Sequence, residues 1–214
     1  MTEIVVVGSL NMDLVVRAPH LPIPGETVLG QNFQTIPGGK GANQAVGAAR
    51  LGAHVTMIGR VGNDTFGKTL SANLASEGID TTHVLRDSNA PSGIAIITLD
   101  EAGQNCIVVA SGANHKLTSK DVKTAFSQID EVDVVVLQLE SPLDCVEAAA
   151  KLGRERGAKI VLNPAPAQPL PDRLLALVDV LVPNESETSL LTDLPVENPS
   201  QIDTAARALF ERGV

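Results

Sequence analysis

Asn11 and Asp13 stand two positions apart in the segment GSLNMD, directly after the apolar run that begins at Ile4. Residues two apart in extended chain point to the same side. An amide that donates and accepts, beside a carboxylate that only accepts, suits the neighbouring hydroxyls of a polyol. Met12 lies between them. A polar turn with a helix N-cap is the structural alternative, and the segment alone leaves both readings open.

A second cluster is PGGKGANQA, Pro37 to Ala45, in which Gly38, Gly39 and Gly41 surround Lys40. Glycines at the start of a helix let backbone N–H groups approach a ligand, and the helix dipole there favours oxygen acceptors. Asn43 falls in the first helical turn and points toward the same space. A P-loop would need Gly at 34 and Ser or Thr at 41, where Gln34 and Gly41 stand. The dinucleotide fingerprint fails as well, because Gln44 occupies its third glycine position. What remains is a glycine-rich turn for a neutral or weakly anionic ligand. Tight helix–sheet packing explains Gly47 and Gly52 better than it explains the run around a lysine.

Three further segments follow strand-like runs. In LQLESP, Leu137 to Pro142, a lone carboxylate, Glu140, ends an apolar run just before a proline that opens a helix. It reads as a crevice-facing ligand, or alternatively as a first-turn acid worth only about 0.3–1 kcal/mol to a helix N-terminus. NPAPA, Asn163 to Ala167, reads as structural, with Asn163 holding neighbouring loops. In PNESE, Asn184 and Glu187 have capping-box spacing. The same two residues could also face nucleotide phosphates or Mg²⁺-bound water. Four histidines, His20, His54, His83 and His115, have no zinc-ligand spacing, and no G-x-S-x-G occurs.

The elements that must position these groups alternate. Strands are predicted at Ile4–Gly8, Val55–Gly62, Asp133–Glu140, Ala158–Asn163 and Val180–Val182. Helices are predicted over Gly39–Gly52, from an Asp64 cap to Glu77, over Leu143–Arg156 and over Leu174–Val178, with two more opening at Asn184 and Pro199. Strand–helix alternation implies βαβ units and a parallel sheet with right-handed crossovers. Two stretches break the rhythm, Leu14 to Ile36 and Ser92 to Val109. The second carries a hairpin signal, Asp100-Glu101-Ala102-Gly103, between apolar runs. Together they predict a small antiparallel sheet outside the main layer. The chain reads as one domain over 1–214 with that excursion inserted. Gly213 reads as a helix stop and Val214 as the start of a further strand, so the domain is expected to be incomplete at its C-terminal side.

Composition narrows the function classes. The 214 residues carry a net charge of −9 and contain no Trp, no Tyr and four Phe. An acidic, aromatic-poor chain argues against a nucleic-acid partner. The apolar runs are too short for a membrane helix. Cys106 and Cys145 are expected to be buried small hydrophobes in a reducing compartment, which points to the cytoplasm.

The six segments GSLNMD, PGGKGANQA, SGANH, LQLESP, NPAPA and PNESE, in this order from Ile4 onward, closely resemble the ribokinase-like (PfkB) carbohydrate kinases. The resemblance implies a three-layer α/β sandwich with a mainly parallel central sheet and a β-sheet lid. It implies transfer of the ATP γ-phosphate to O5 of D-ribose, with deoxyribose, another sugar or a nucleoside as alternative acceptors. A non-catalytic sugar-binding module and an incomplete product are the readings from other classes. By position, Asn11, Met12, Asp13, Gly39, Lys40, Gly41, Asn43 and Glu140 match the sugar site, Asn184 matches the nucleotide-side asparagine, and Glu187 matches a glutamate linked to Mg²⁺. ATP, Mg²⁺ and a monovalent cation (K⁺) are the implied cofactors, and a homodimer through the lid is the implied assembly. The lid would exclude water during transfer. The family's GAGD-type segment, which carries the aspartate base and the anion hole, has no counterpart in these 214 residues. Catalysis is therefore expected to need an aspartate beyond Val214.

Overall fold

The runs IVVV and VVVL are wholly apolar and β-branched, as strands covered on both faces must be. In the computed structural model, which describes residues 1–214, they are β1 (Glu3–Val7) and β8 (Val134–Leu137), neighbours at the centre of a six-stranded sheet. The other strands are β4 (His54–Gly62), β5 (Val84–Asp87), β9 (Lys159–Leu162) and β10 (Val180–Leu181). The order is β10-β9-β8-β1-β4-β5, and every pair is parallel.

Side chains alternate across this sheet. Val5 and Val7 join a core with Val122, Phe126, Val146 and Ala149. Val6, between them, joins a second core with Ala42, Ala45, Leu70 and Leu74. The first core lies under α3 (Ser119–Phe126) and α4 (Leu143–Glu155), the second under α1 (Lys40–Arg50) and α2 (Thr65–Ser76). Two cores on opposite faces of one sheet make the predicted three-layer sandwich. Three more helices complete the chain: α5 (Asp172–Leu175), α6 (Glu185–Thr192) and α7 (Pro199–Glu211).

The two anomalous stretches form a separate four-stranded sheet of β2 (Asn11–Arg17), β3 (Gln31–Gly38), β6 (Gly93–Leu99) and β7 (Asn105–Ala110), in the order β3-β2-β6-β7. Its outer pairs are antiparallel, and the Asp100–Gly103 hairpin joins β6 to β7 as expected. Its central pair, β2–β6, is parallel, because each of these strands leaves the main sheet in the same direction. The lid reaches further toward the sheet than predicted: its first strand starts at Asn11, so the candidate ligands belong to it. Asp64 fixes the lid root. Its carboxylate caps α2 at Gly67 N and accepts from Ser92 N and Ser92 Oγ, at 2.7–2.8 Å.

Some expectations need correction. The strand ending at Glu140 stops at Leu137, leaving Glu140 in the following loop. The predicted Leu174–Val178 helix is shifted to Asp172–Leu175, because Pro171 sets its start. Strand β5 and helix α3 were not predicted, although Thr118 and Asp121 form a capping box at the start of α3. Cys145 is buried as expected, with its thiol pushed up to about 12 chiefly by that burial. Cys106 is exposed instead, because β7 is an edge strand of the lid with no layer over it.

Candidate functional site

At the carboxyl ends of β1 and β8 the main sheet meets the lid, and the space between them is a cavity of about 740 Å³. That is a common size for a small-molecule site. Its polar wall includes Asn11, Asp13, Lys40, Asn43 and Glu140, with Gly39 beside them. Its roof is apolar: Ala95, Ile97, Ile107 and Val109 come from the lid strands. In register, Asp13 faces Ala95 across β2–β6, and Ala95 faces Val109 across β6–β7, so one face of the lid supplies both the carboxylate and the roof.

Glu140 organises the polar wall. Its Oε2 accepts from Ser9 Oγ at 2.5 Å, from Lys40 N at 3.1 Å and from Asn11 Nδ2 at 3.4 Å. Ser9 Oγ in turn accepts from Gly41 N at 3.3 Å. A carboxylate and a hydroxyl together satisfy the first two N–H groups of α1, whose own N-cap, Gly39, has no side chain to do so. The sequence alternatives for Glu140 thus merge: it is a helix-terminus acid, but for α1 rather than for the α4 that follows it. Gly39 has φ 95°, and a Cβ there would lie 2.6 Å from Asn11 N. Only glycine lets this turn press against the start of β2.

Asp13 faces the cavity without a protein hydrogen-bond partner, and its carboxyl is raised above its ordinary range, first by burial and then by the nearby Glu140 charge. Two carboxylates held close in a half-enclosed space form a natural receptor for several hydroxyl donors. Lys40 also faces the cavity and makes no ion pair, which leaves its ammonium available to an anionic or electron-rich oxygen.

Two residues matched to the sugar site do not line the cavity. Met12 points to the opposite side of β2 and is buried in the core under α1 and α2. Gly41 packs against the chain at Gly8–Ser9, where a Cβ would come within 2.6 Å of Ser9 N. Asn184 and Glu187 also lie apart from this cavity, after β10 at the same carboxyl edge of the sheet. They form the capping box of α6: Glu187 N donates to Asn184 Oδ1 at 2.8 Å, and Asn184 N donates to Glu187 Oε2 at 2.9 Å. Asn163 holds its neighbour as expected, donating to Val182 O at 2.7 Å. The segment does more than that, since Pro166 and Ala167 line the cavity.

Sequence reasoning assigned no role to Ser9, Asn114, His115 or Ser141. His115 lines the cavity, as does Ser141, whose Oγ is buried without a protein partner. Asn114 is 2% exposed and bonds to Asn11. The SGANH segment was the available signal for two of these, but spacing alone gave it no chemistry.

A three-layer α/β sandwich with a polar strand-end cavity under a β-sheet roof defines a lidded sugar-kinase architecture. The comparisons agree, and residues 1–214 match the model of the pfkB family of carbohydrate kinases. The chain belongs to that family. It is 46% identical over 209 residues to a ribokinase of Haemophilus influenzae, covering 98% of this chain and 68% of that protein. It is 39% identical over 213 residues to a deoxyribokinase of Salmonella typhi, covering 99% of this chain and 70% of that one. A Bacillus subtilis ribokinase, 47% identical over 191 residues (89% of this chain), is spanned over 65% of its length. Among solved structures, Arabidopsis thaliana ribokinase complexed with ribose and ATP superposes with a TM-score of 0.87 at 35% identity, over 100% of this chain and 70% of that one. No helix is long and apolar enough to cross a membrane.

Proposed function

We propose that these residues are the sugar-binding part of an ATP-dependent kinase that phosphorylates D-ribose at O5. The observation that carries this reading is the convergence of Asn11, Asp13, Lys40, Asn43 and Glu140 on one cavity with an apolar roof. A pentose has hydroxyls along its edges and C–H groups on its faces, and this cavity has polar walls and an aliphatic roof to match.

In this reading Asp13 and Asn11 hold neighbouring ring hydroxyls. The Gly39–Gly41 turn and Asn43 fix the sugar against the start of α1, and Lys40 stands near the phosphoryl acceptor. Glu140 keeps Ser9, Asn11 and the turn in register. Closure of the lid excludes water, which favours transfer to the sugar over hydrolysis. Asn184 and Glu187 belong to the nucleotide side. No group of three His, Cys, Asp or Glu side chains could hold a metal ion here. In this reading Mg²⁺ arrives with ATP, held mainly by its phosphates, and Glu187, tied to Asn184, meets it through bound water. The requirement for a monovalent cation such as K⁺ rests on the family resemblance alone. The family resemblance assigns the general base to an aspartate of a GAGD-type segment, which these 214 residues do not contain.

Assembly as a homodimer through the lid is part of the same reading. Ile36, Ile107 and Val109 are between 44% and 50% exposed on the cavity face of a sheet whose outer strands have no partners. A cytoplasmic location fits two free cysteines.

Calorimetric titration with D-ribose, 2-deoxy-D-ribose and D-glucose tests the sugar, and an ADP-release assay with Mg-ATP tests the chemistry. D-ribose is expected to bind tightest, with no sugar-dependent ADP release from the 214-residue chain by itself. Preference for 2-deoxy-D-ribose would favour the deoxyribokinase reading, to which 39% identity lends support. Sugar-dependent turnover by the chain alone would overturn the need for an outside base.

A further inference from the structure

Asn114 lies in the 3-10 turn Gly112–Lys116, which leads directly out of the lid strand β7, and it is 2% exposed. It does not line the cavity. Its side chain meets two partners that do not share its element: the peptide of Leu10 and the amide of Asn11.

The orientation of this pair can be worked out from the backbone. Leu10 N–H can only donate, and it donates to Asn114 Oδ1 at 2.9 Å. The other end of that amide must then be Nδ2, and it donates to Leu10 O at 3.1 Å. Its second proton goes to the Asn11 side chain at 2.8 Å, so the atom facing it there must be Oδ1. Asn11 is thereby turned so that its Nδ2 points away from Asn114 and toward Glu140 Oε2, on the cavity wall. The backbone N–H and C=O of one residue, Leu10, therefore set two amides in sequence. Gly93, at the root of β6, leaves the room for this arrangement. A Cβ there would fall 2.2 Å from Asn11 Oδ1 and 2.3 Å from Asn114 Nδ2.

We infer that Asn114 is a positioning residue for sugar recognition: it fixes the Asn11 amide so that a donor, rather than an acceptor, faces the sugar beside Glu140. This rests on the proposed function for its consequence in binding, and on the hydrogen-bond geometry alone for the orientation. The physical reason for such a device is the neighbourhood of Glu140 and Asp13. With two carboxylates already accepting, an amide that turned its oxygen inward would add a third acceptor and leave the sugar oxygens only Lys40 and Asn43 as side-chain amide or ammonium donors on this wall. Because Asn114 follows β7 directly, the same contact ties the return strand of the lid to the wall of the cavity.

A double-mutant cycle with Asn11→Ala and Asn114→Ala tests this, read by D-ribose affinity and by the side-chain amide NMR signals of Asn11. Asn114→Ala is expected to weaken D-ribose binding roughly fivefold to twentyfold in the parent. In the Asn11→Ala background it is expected to change binding by less than about twofold, because the group it positions is gone. The Asn11 amide signals should shift toward those of a free side chain in Asn114→Ala. An equal loss in both backgrounds would show Asn114 acting through the fold at large, and unshifted Asn11 signals would show that it does not orient the amide; either result overturns the inference. If the parent binds no sugar, the proposed function fails, and the NMR comparison still decides the orientation. Should Asn114→Ala fold poorly, Asn114→Ser, which keeps a donor, is expected to restore the Asn11 signals partly, and no restoration would count against the inference.

Discussion

The two sheets of this protein use nearly the same residue types to opposite ends. In the main sheet Val5, Val6, Val7, Val135 and Leu137 are all within 1% of full burial. In the lid Ile96, Ile107, Val108 and Val109 are between 44% and 61% exposed, although they too are aliphatic and lie in regular strands. The first sheet is covered on both faces by helices, whereas the second has its cavity face open, leaves Ile96 and Val108 exposed on its other face, and has two unpartnered edges. Burial stabilises the first by roughly 1.5–3 kcal/mol for each such side chain. In the second much of the same carbon surface remains exposed. The candidate site sits where one kind of sheet passes into the other: Lys40, Asn43 and Glu140 come from the side of the covered sheet, Asn11 and Asp13 from the first lid strand, and the apolar roof from the lid strands beside it.

The sharpest way to break this contrast is to cut the same amount of side chain from each sheet. Leu137→Ala removes a fully buried side chain and is expected to cost about 2–5 kcal/mol, which at this chain length lowers Tm by roughly 5–15 °C. Ile107→Ala, at 50% exposure, is expected to cost under about 1 kcal/mol while weakening D-ribose binding severalfold. Thermal melts and calorimetry on the two variants check both halves. Equal losses of stability would mean that the lid is part of the core and no separate element.

Glu140 sharpens the comparison at the junction. Glu140→Gln retains the shape but removes the charge that accepts from Ser9, Lys40 N and Asn11. Charge-assisted hydrogen bonds are the stronger kind, so a loss of about 1.5–3 kcal/mol and at least tenfold in D-ribose affinity is expected. A change in affinity with an unchanged melting curve would make Glu140 a ligand only, and the α1 terminus would then not depend on it.

The smallest effect lies on the lid side. The Asp13 carboxyl is raised above its ordinary value of 3.8, first by burial and then by Glu140. A carboxyl that ionises less readily in the folded state opposes folding at every pH above its raised value. That opposition shrinks as pH falls through the raised value, where the folded state takes up a proton first, and it is gone below 3.8. Asp13→Asn is therefore expected to raise Tm by roughly a degree or two near neutral pH and to lose that gain on acidification, while weakening D-ribose binding. Melts across the acid range check the sign; a gain that grew on acidification would refute it.

Much of the scaffold was legible from the residues. The apolar β-branched runs could only be doubly covered strands, and Asp64, Asn184 and Pro199 marked helix starts by chemistry that acts within a few residues. The two stretches that broke the alternation do form a second, smaller sheet. Helix α3 escaped because it is short: its apolar stripe is only Val122, Ala125 and Phe126, too few turns for the period to stand out behind the polar Thr118–Asp121 box. The parallel pairing of β2 with β6 escaped because it joins segments some eighty residues apart, and local pattern does not determine which strand lies beside which.

The site divides in the same way. Asn11, Asp13, Lys40, Asn43 and Glu140 stood out by type and position, since polar groups at the ends of apolar strands have few other reasons to be there. Ser9, Asn114 and His115 did not, because a serine, an asparagine and a histidine gain their meaning from what they touch. Met12 shows the converse, placed in the pattern but turned into the core by the two-residue alternation of its own strand. The sequence by itself determined which groups could do chemistry and which elements would carry them, because propensity, capping and alternation are local. Only the tertiary structure decided that Glu140 serves the terminus of α1, that Asn114 turns Asn11, and that a lid roofs them, because those contacts span about a hundred residues and depend on how the sheets come together.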